Sequence, residues 1–308
     1  MELRHIRYFL AVAEEGNFTR AAEKIGIAQP PLSQQIRDLE KEIGFQLFHR
    51  IPHGAELTTA GEVFRERVLA IPAKVNEATE VARRAARGEI GSLNLGFTGA
   101  SLLNPIVSRL IRTFRRDHPD VTFKLEEGNS VELRDDLLNG TLDIAILRPN
   151  VNDPGSILTY PLSSEALIAA IPKSRDPQPD CDEIDLLSLK NEPLVLTPRT
   201  IGLSLHDTAI ATCRRAGFEP ILGQPAPQIT SIMAMVSAEQ GISLVPECMR
   251  QLGLDNVSYK QLRTLDIKVS IATAILKDNS SPTAAAFVAL SRKISRVGKS
   301  EAKHPDEI

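Results

Sequence analysis

The 308-residue chain carries no GxSxG turn, no HExxH, no Walker loop and no GxGxxG. Its histidines, His5, His49, His53, His118, His206 and His304, are scattered, and Ser101 has none near it in sequence. Those absences argue against catalysis. Cysteine is scarce as well: Cys181, Cys213 and Cys248 share no CxxC spacing, so neither a zinc site nor a disulfide framework is indicated. Cys213 falls on the apolar side of "SLHDTAIATCRRAG" with Leu205, Ala209 and Ile210, the setting of a buried structural thiol. No metal and no cofactor is implied. An export signal is missing too, because Glu2, Arg4, His5 and Arg7 interrupt any apolar core at the start and no small-residue cleavage site follows. A reducing cytoplasm is the expected compartment, with no membrane partner. Positive charge is also lacking: the net charge is -3, and Met1 to Thr58 holds seven Lys and Arg against eight Asp and Glu. Nucleic acid could therefore be held only by local placement of a few arginines and helix N-termini, and by more than one copy of the chain.

What the sequence does have is "NFTRAAEKIGIAQPPLSQQIRDLEKEIG", Asn17 to Gly44, two helical patterns a few residues apart. In the second, Leu32, Ile36, Leu39 and Ile43 form a buried stripe, and Pro30, Ser33, Gln34, Arg37 and Lys41 form a polar one. Pro30 and Pro31 fit only a first turn, and Gly44 is a stop. The first helix, about Phe18 to Ile25, starts on Asn17 as N-cap, with Gly26 turning the chain. A third helix, "LRHIRYFLAVAEE", covers both with Leu3, Ile6, Phe9, Leu10 and Ala13. "FQLFHRIPHGAELTTAGE" reads as a hairpin with Leu47, Phe48 and Leu57 inward, presenting Arg50 and His53 beside the second helix. A helix-turn-helix of this kind aims the start of its second helix into the DNA major groove. Taken alone, the same pattern also fits two packed helices with a solvated polar face.

Residues 1 to 61, through "LRHIRYFLAVAEEGNFTRAAEKIGIAQPPLSQQIRDLEKEIGFQLFHR" and "LTTAG", resemble the winged helix-turn-helix of the LysR-type transcriptional regulators in order and spacing. The resemblance implies double-stranded promoter DNA as partner, with Gln29, Pro30, Pro31, Ser33, Gln34, Arg37, Arg50 and His53 at the interface. Gln34 stands where relatives often carry Arg, which implies a different base preference. Ala28, where many members carry Ser or Thr, has no side chain with which to cap.

Thr59 and Glu62 read as a capping box opening a long helix in which Phe64, Val68, Ile71, Val75, Ala78, Ala82 and Ala85 step as a heptad seam. About thirty residues at ~1.5 Å each give roughly 45 Å, too long to hide inside a small domain. Pro72 is expected to kink it or break one turn. The resemblance makes this the joint between two subunits, in a homodimer or homotetramer. Gly88 and Gly91 read as a hinge.

Beyond the hinge, "SLNLGFT", "FKLEEG", "LDIAIL", "ALIAAIP", "LVLT" and "ISLVP" alternate with helical stretches, the pattern of a parallel α/β sheet with crossovers. The length suits two lobes, with "KVSIATAIL" returning to the first. The expected architecture is multi-domain α/β. A winged helix-turn-helix spans 1–58 and a linker helix with hinge 59–91. A two-lobed effector domain, similar to periplasmic binding proteins, spans 92–300, with lobe I at 92–162 and 268–300 and lobe II at 163–267. A tail follows at 301–308.

Ligands of open α/β sheets sit at the carboxyl ends of the strands, beside helix N-termini. Those ends carry Thr98, Gly99 and Ser101, then Asn129 and Ser130, then Arg148, then Ser204, then Thr230. Hydroxyls, an amide and an arginine converging there suit a small carboxylate effector, although each hydroxyl could simply cap a helix and Arg148 could close an ion pair. The "IAQPPLS" variant resembles regulators of aromatic-acid catabolism and implies an aromatic or unsaturated acid. RNA polymerase is a further partner the resemblance implies. The competing reading is a small-molecule-binding protein or enzyme whose helix-turn-helix serves protein contacts only.

Overall fold

The computed structural model describes residues 1–52 and 54–301, with residues 297–301 described by backbone only. His53 and residues 302–308, which hold one candidate DNA contact and nearly all of the expected tail, lie outside the described residues. The chain divides into two compact units, Met1–Arg83 and Arg84–Ile308.

In the first unit, α1 (Leu3–Glu15), α2 (Phe18–Ile25) and α3 (Gln29–Ile43) are followed by a hairpin of β1 (Phe48–Ile51) and β2 (Gly54–Leu57), then α4 (Thr59–Val68). The caps explain the boundaries. Asn17 Oδ1 accepts from the backbone N–H groups of Thr19 and Arg20, and Gly26 and Gly44 end α2 and α3 in the left-handed region. Ala28 precedes α3 without a side-chain cap, and prolines fill the first turn, where missing N–H groups have no intrahelical partner. Phe9, Leu32, Ile36, Leu39 and Leu47 are fully buried, and the Phe9 ring packs 5.3 Å from Phe48 and 5.0 Å from Phe64. Glu40, on α3, accepts from the backbone N–H groups of Leu47 and Phe48 at 2.8 and 3.2 Å, so α3 also anchors the hairpin. Gly54 is required at the hairpin, because a Cβ there would lie 2.2 Å from the Gly16 carbonyl oxygen.

One expectation for the linker needs correction, and the expected effect of Pro72 is seen. Thr58, not Thr59, caps α4, accepting from Gly61 N–H at 2.9 Å, because Thr58 is the last residue with extended backbone. The long helix is also divided: α4 ends at Val68 and α5 runs Ile71–Ala86. Pro72 has no N–H to offer the Val68 carbonyl, which accounts for the break. The division splits the heptad seam. Phe64, Val68 and Ile71 pack into the core of the first unit, so that core extends past residue 58. By contrast α5 buries none of its residues within the chain.

The second unit contains β3 (Ile90–Phe97), α6 (Gly99–Leu102), α7 (Pro105–Asp117), β4 (Asp120–Glu127), α8 (Ser130–Leu138), β5 (Ile144–Leu147) and β6 (Ile157–Pro172). There follow β7 (Glu183–Ile184), α9 (Leu203–Arg215), α10 (Ile229–Ser237), β8 (Ser243–Pro246), β9 (Val257–Leu262), β10 (Lys268–Leu276) and α11 (Pro282–Glu301). Strand order is β4-β3-β5-β10-β6-β9-β7, with β8 also on β6. The sheet is mixed rather than parallel throughout: β3 runs parallel to β4 and β5, whereas β10 is antiparallel to β5 and β6, and β6 to β8 and β9. The sixteen-residue β6 serves both lobes, pairing with β10 along its first part and with β8 and β9 along its second. One core gathers Leu93, Leu95, Phe114 and Phe287; another gathers Leu167, Ile171, Leu194 and Leu244.

Gly91 lies inside β3, paired with Val121, and a Cβ on Gly88 would meet the Pro282 carbonyl oxygen at 2.4 Å, so both glycines of the expected hinge are packed. One further reading is corrected here. "LVLT" forms no strand beyond single bridges from Leu194 to Leu222 and Ile242, because Pro193 and Pro198 flank it and proline cannot donate to a ladder.

The two halves of the expected seam give opposite mutational outcomes. Val68→Asp, at a position 4% exposed, destabilises the first unit by about 4 kcal/mol. Val75→Asp, at 38% exposed, changes folding by no more than about 0.5 kcal/mol yet weakens self-association. Chemical denaturation and light scattering separate the two, and an unchanged assembly for Val75→Asp removes α5 as a joint.

Candidate functional site

The outer face of α3 is the first candidate. Pro30, Pro31, Gln34 and Arg37 are exposed along it, and Gln29 is half-buried. Ser33 departs from the expected stripe: it is 4% exposed, and its hydroxyl accepts from Gln29 Nε2 at 2.7 Å, so it positions Gln29 instead of reaching outward. Gln34 donates to Asp38 Oδ1 at 2.8 Å and accepts from Arg37 Nη2 at 2.9 Å. Arg50, on β1, is exposed and lies over the Phe18 ring, 5.2 Å from its centroid. A planar cation stacked this way keeps its N–H groups outward for phosphate.

The second candidate is a cavity of about 390 Å³ at the carboxyl ends of the strands. Thr98, Gly99, Asn129, Ser130, Arg148, Ser204 and Thr230 all line it. Ser101 does not. Its side chain is fully buried and donates to the Thr98 carbonyl at 2.7 Å, closing the turn of α6. Helices α8, α9 and α10 all begin at the cavity, and α9 and α10 have no side-chain cap, so their first N–H groups give it a positive local field. Asn129 is engaged as the α8 cap, accepting from Val131 and Glu132 N–H, and therefore fixes where that helix starts.

Arg148 is the strongest polar group of the cavity. It is 6% exposed; Nη2 donates to Glu165 Oε1 at 3.1 Å, and Nη1 has no partner among the described residues. Thr98 Oγ1, on the same wall, is also buried without a partner. Both residues line a space large enough for a ligand, and each keeps one buried polar atom without a partner among the described residues. Glu165 belongs to β6, and its other oxygen accepts from the Cys248 N–H at 3.1 Å. Arg134 holds the Arg148 backbone, donating to its carbonyl at 2.9 Å while pairing with Asp153.

Sequence reasoning missed several of these residues. Glu127, Gly128 and Glu132 line the cavity at the end of β4 and in the first turn of α8, and Thr197, Leu205 and Gln228 lie on the other side. Glu127 follows the same strand-end rule that picked Asn129 and could have been found. Its Oε1 lies 2.6 Å from where a Cβ on Gly99 would stand, so the glycine leaves room for the carboxylate. Glu165 and Arg134 gave no local signal, since one sits mid-strand and the other mid-helix. No cluster of His, Cys, Asp or Glu suited to a metal occurs among the described residues, nor a helix long and apolar enough to cross a membrane.

Residues 3–62 match the family model described as "Bacterial regulatory helix-turn-helix protein, lysR family", and residues 86–295 match "LysR substrate binding domain". The HTH-type transcriptional regulator AlsR of Bacillus subtilis (strain 168) is 34% identical over 291 residues, covering 94% of this chain and 95% of the relative. The solved LysR-family regulator CbnR superposes with TM-score 0.81 at 29% identity, over 95% of this chain and 100% of that one. In complex with its target DNA, CbnR gives TM-score 0.77 at 28% identity, over 96% and 100%. The effector-binding domain of QuiR, solved with shikimate, gives TM-score 0.60 at 25% identity over 68% of this chain and 98% of that one.

The buried pair makes a stability prediction. Arg148→Met leaves the Glu165 carboxylate buried without its cation and costs about 3 to 5 kcal/mol, whereas adding Glu165→Leu recovers most of that loss. Urea denaturation of the second unit within the full chain reads the difference. Equal losses for the single and double variants would show that Arg148 acts through packing alone.

Proposed function

The chain belongs to the LysR family of transcriptional regulators, and on that premise we propose that its effector is a small carboxylate bearing a hydrogen-bond donor, held in the Arg148 cavity. It is a DNA-binding regulator with an effector-binding domain, not an enzyme. The observation that carries the proposal is the buried Arg148 Nη1 without a partner. A buried guanidinium N–H left unsatisfied is costly, and a carboxylate answers it with a charge-assisted bond. Thr98 Oγ1 and the uncapped N-termini of α9 and α10 supply further donors for the same anion. Glu127 and Glu132, exposed at the rim, are acceptors and favour an acid that also carries a hydroxyl or ammonium group. The shikimate found in QuiR, a hydroxylated acid, is of that class.

On the DNA side, Gln29, Pro30, Pro31, Gln34, Arg37 and Arg50 are the proposed interface, with Ser33 positioning Gln29. The exposed α5 face of Val75, Ala78, Ala82 and Ala85 is the proposed joint of a homodimer or homotetramer. A second copy doubles the contacts of a domain with no net positive charge.

Two measurements test these readings. Titrating the full chain with shikimate and other hydroxy acids raises its thermal midpoint, the corresponding carboxamides do not, and Thr98→Val weakens the response about tenfold while leaving the unliganded protein no less stable. Equal shifts from acids and amides would discard the carboxylate. Separately, Arg50→Ala lowers affinity for all duplexes alike and reduces the salt slope by about one. A loss confined to one sequence would place Arg50 on a base instead.

A further inference from the structure

Gln34 stands on the exposed face of α3 with its amide held at both ends. Arg37 has only N–H donors and reaches the amide oxygen at 2.9 Å; the Asp38 carboxylate is an acceptor and takes a proton of the amide nitrogen at 2.8 Å. A flipped amide would set its NH₂ against the guanidinium and its oxygen against the carboxylate, so the two neighbours admit one orientation only. Both lie C-terminal to Gln34, one helical turn on, and the exposed amide has no further partner among the described residues. What remains there is one N–H on Nε2 and one lone pair on Oε1. In the major groove, adenine alone offers the complement on a single base, an N7 acceptor beside an N6 donor; guanine shows two acceptors, thymine one, and cytosine a donor.

We propose that Gln34 reads an adenine, and that Asp38 is the positioning residue that fixes the amide for it. The proposal rests on α3 being the DNA-reading helix. It also accounts for an acidic side chain on a face that meets phosphates: Asp38 is paired within the helix, and its charge is offset through Gln34 by Arg37. Neither residue changes the general affinity for DNA much, since neither adds a net phosphate contact.

Selection from a random duplex library by the full chain, followed by sequencing, tests the proposal whatever the operator sequence is. Wild type enriches a site in which one position of each half is adenine with roughly five- to hundredfold preference over other bases. Gln34→Ala and Asp38→Ala both make that position indifferent while the other positions stay, and Asp38→Asn, whose amide oxygen can still accept from Gln34, retains part of the preference. An unchanged consensus for Gln34→Ala would overturn the base contact itself. A position lost in Gln34→Ala that is not adenine would overturn the assignment of the base. Adenine kept by Asp38→Ala, or a loss spread evenly over all positions, would overturn the positioning role.

Discussion

A buried ion pair between Arg148 and Glu165 lies where β6 passes from one lobe to the other, and its arginine lines the cavity. Withdrawing two charges from water costs several kcal/mol each, and every further hydrogen bond on the pair offsets part of that cost. Both oxygens of Glu165 are engaged: one takes Arg148 and the other takes the backbone N–H of Cys248, two residues after β8. Cys248 in turn donates its thiol to the Ala100 carbonyl at 3.4 Å, on the cavity wall. Burial, and then the adjacent Glu165, push the Cys248 thiol far above its ordinary pKa, and burial raises Cys213 to about 11. Both sulfurs are therefore held as thiols in the fold, not as reactive thiolates.

The first unit solves a different problem with similar means. It has to stabilise a small domain and still leave one helix face uncommitted. The inner stripe of α3 forms the core with Phe9, and Glu40 on the same helix anchors the hairpin, so one element fixes both surfaces that could approach DNA. A change in the inner stripe would thus move Arg50 as well as Gln34. That coupling explains why the segment reads as one unbroken pattern along the sequence.

Legibility followed the range of the interactions. The helices, Asn17, Gly26, Gly44 and the strand-end residues were readable because caps, periodicity and strand ends act within a few residues. Ser33 was misplaced because it sits at the edge between stripes, where a small side chain can turn inward to Gln29. The heptad seam was read through Pro72 as one surface, whereas Phe64, Val68 and Ile71 turned inward once the helix broke. Glu165 was invisible. Its meaning depends on Arg148, seventeen positions away, and on Cys248, eighty-three away, and no local rule joins them.

Both sites are built by the same device, in which a polar side chain has some valences fixed by its neighbours and presents those that are left. In the cavity, Glu165 engages one nitrogen of Arg148, and what remains is a donor on a cation. Only an acceptor satisfies it, and a charged one best, because the Arg148–Glu165 pair is already neutral and the helix N-termini add positive field. On α3, Arg37 and Asp38 engage one donor and one acceptor of Gln34, and what remains is again one of each. A ligand with acceptors alone would leave the lone pair of Oε1 unanswered, which is costly once water is excluded. Chemical selectivity at each site therefore follows less from the residue type than from which of its hydrogen-bonding positions the fold has already occupied.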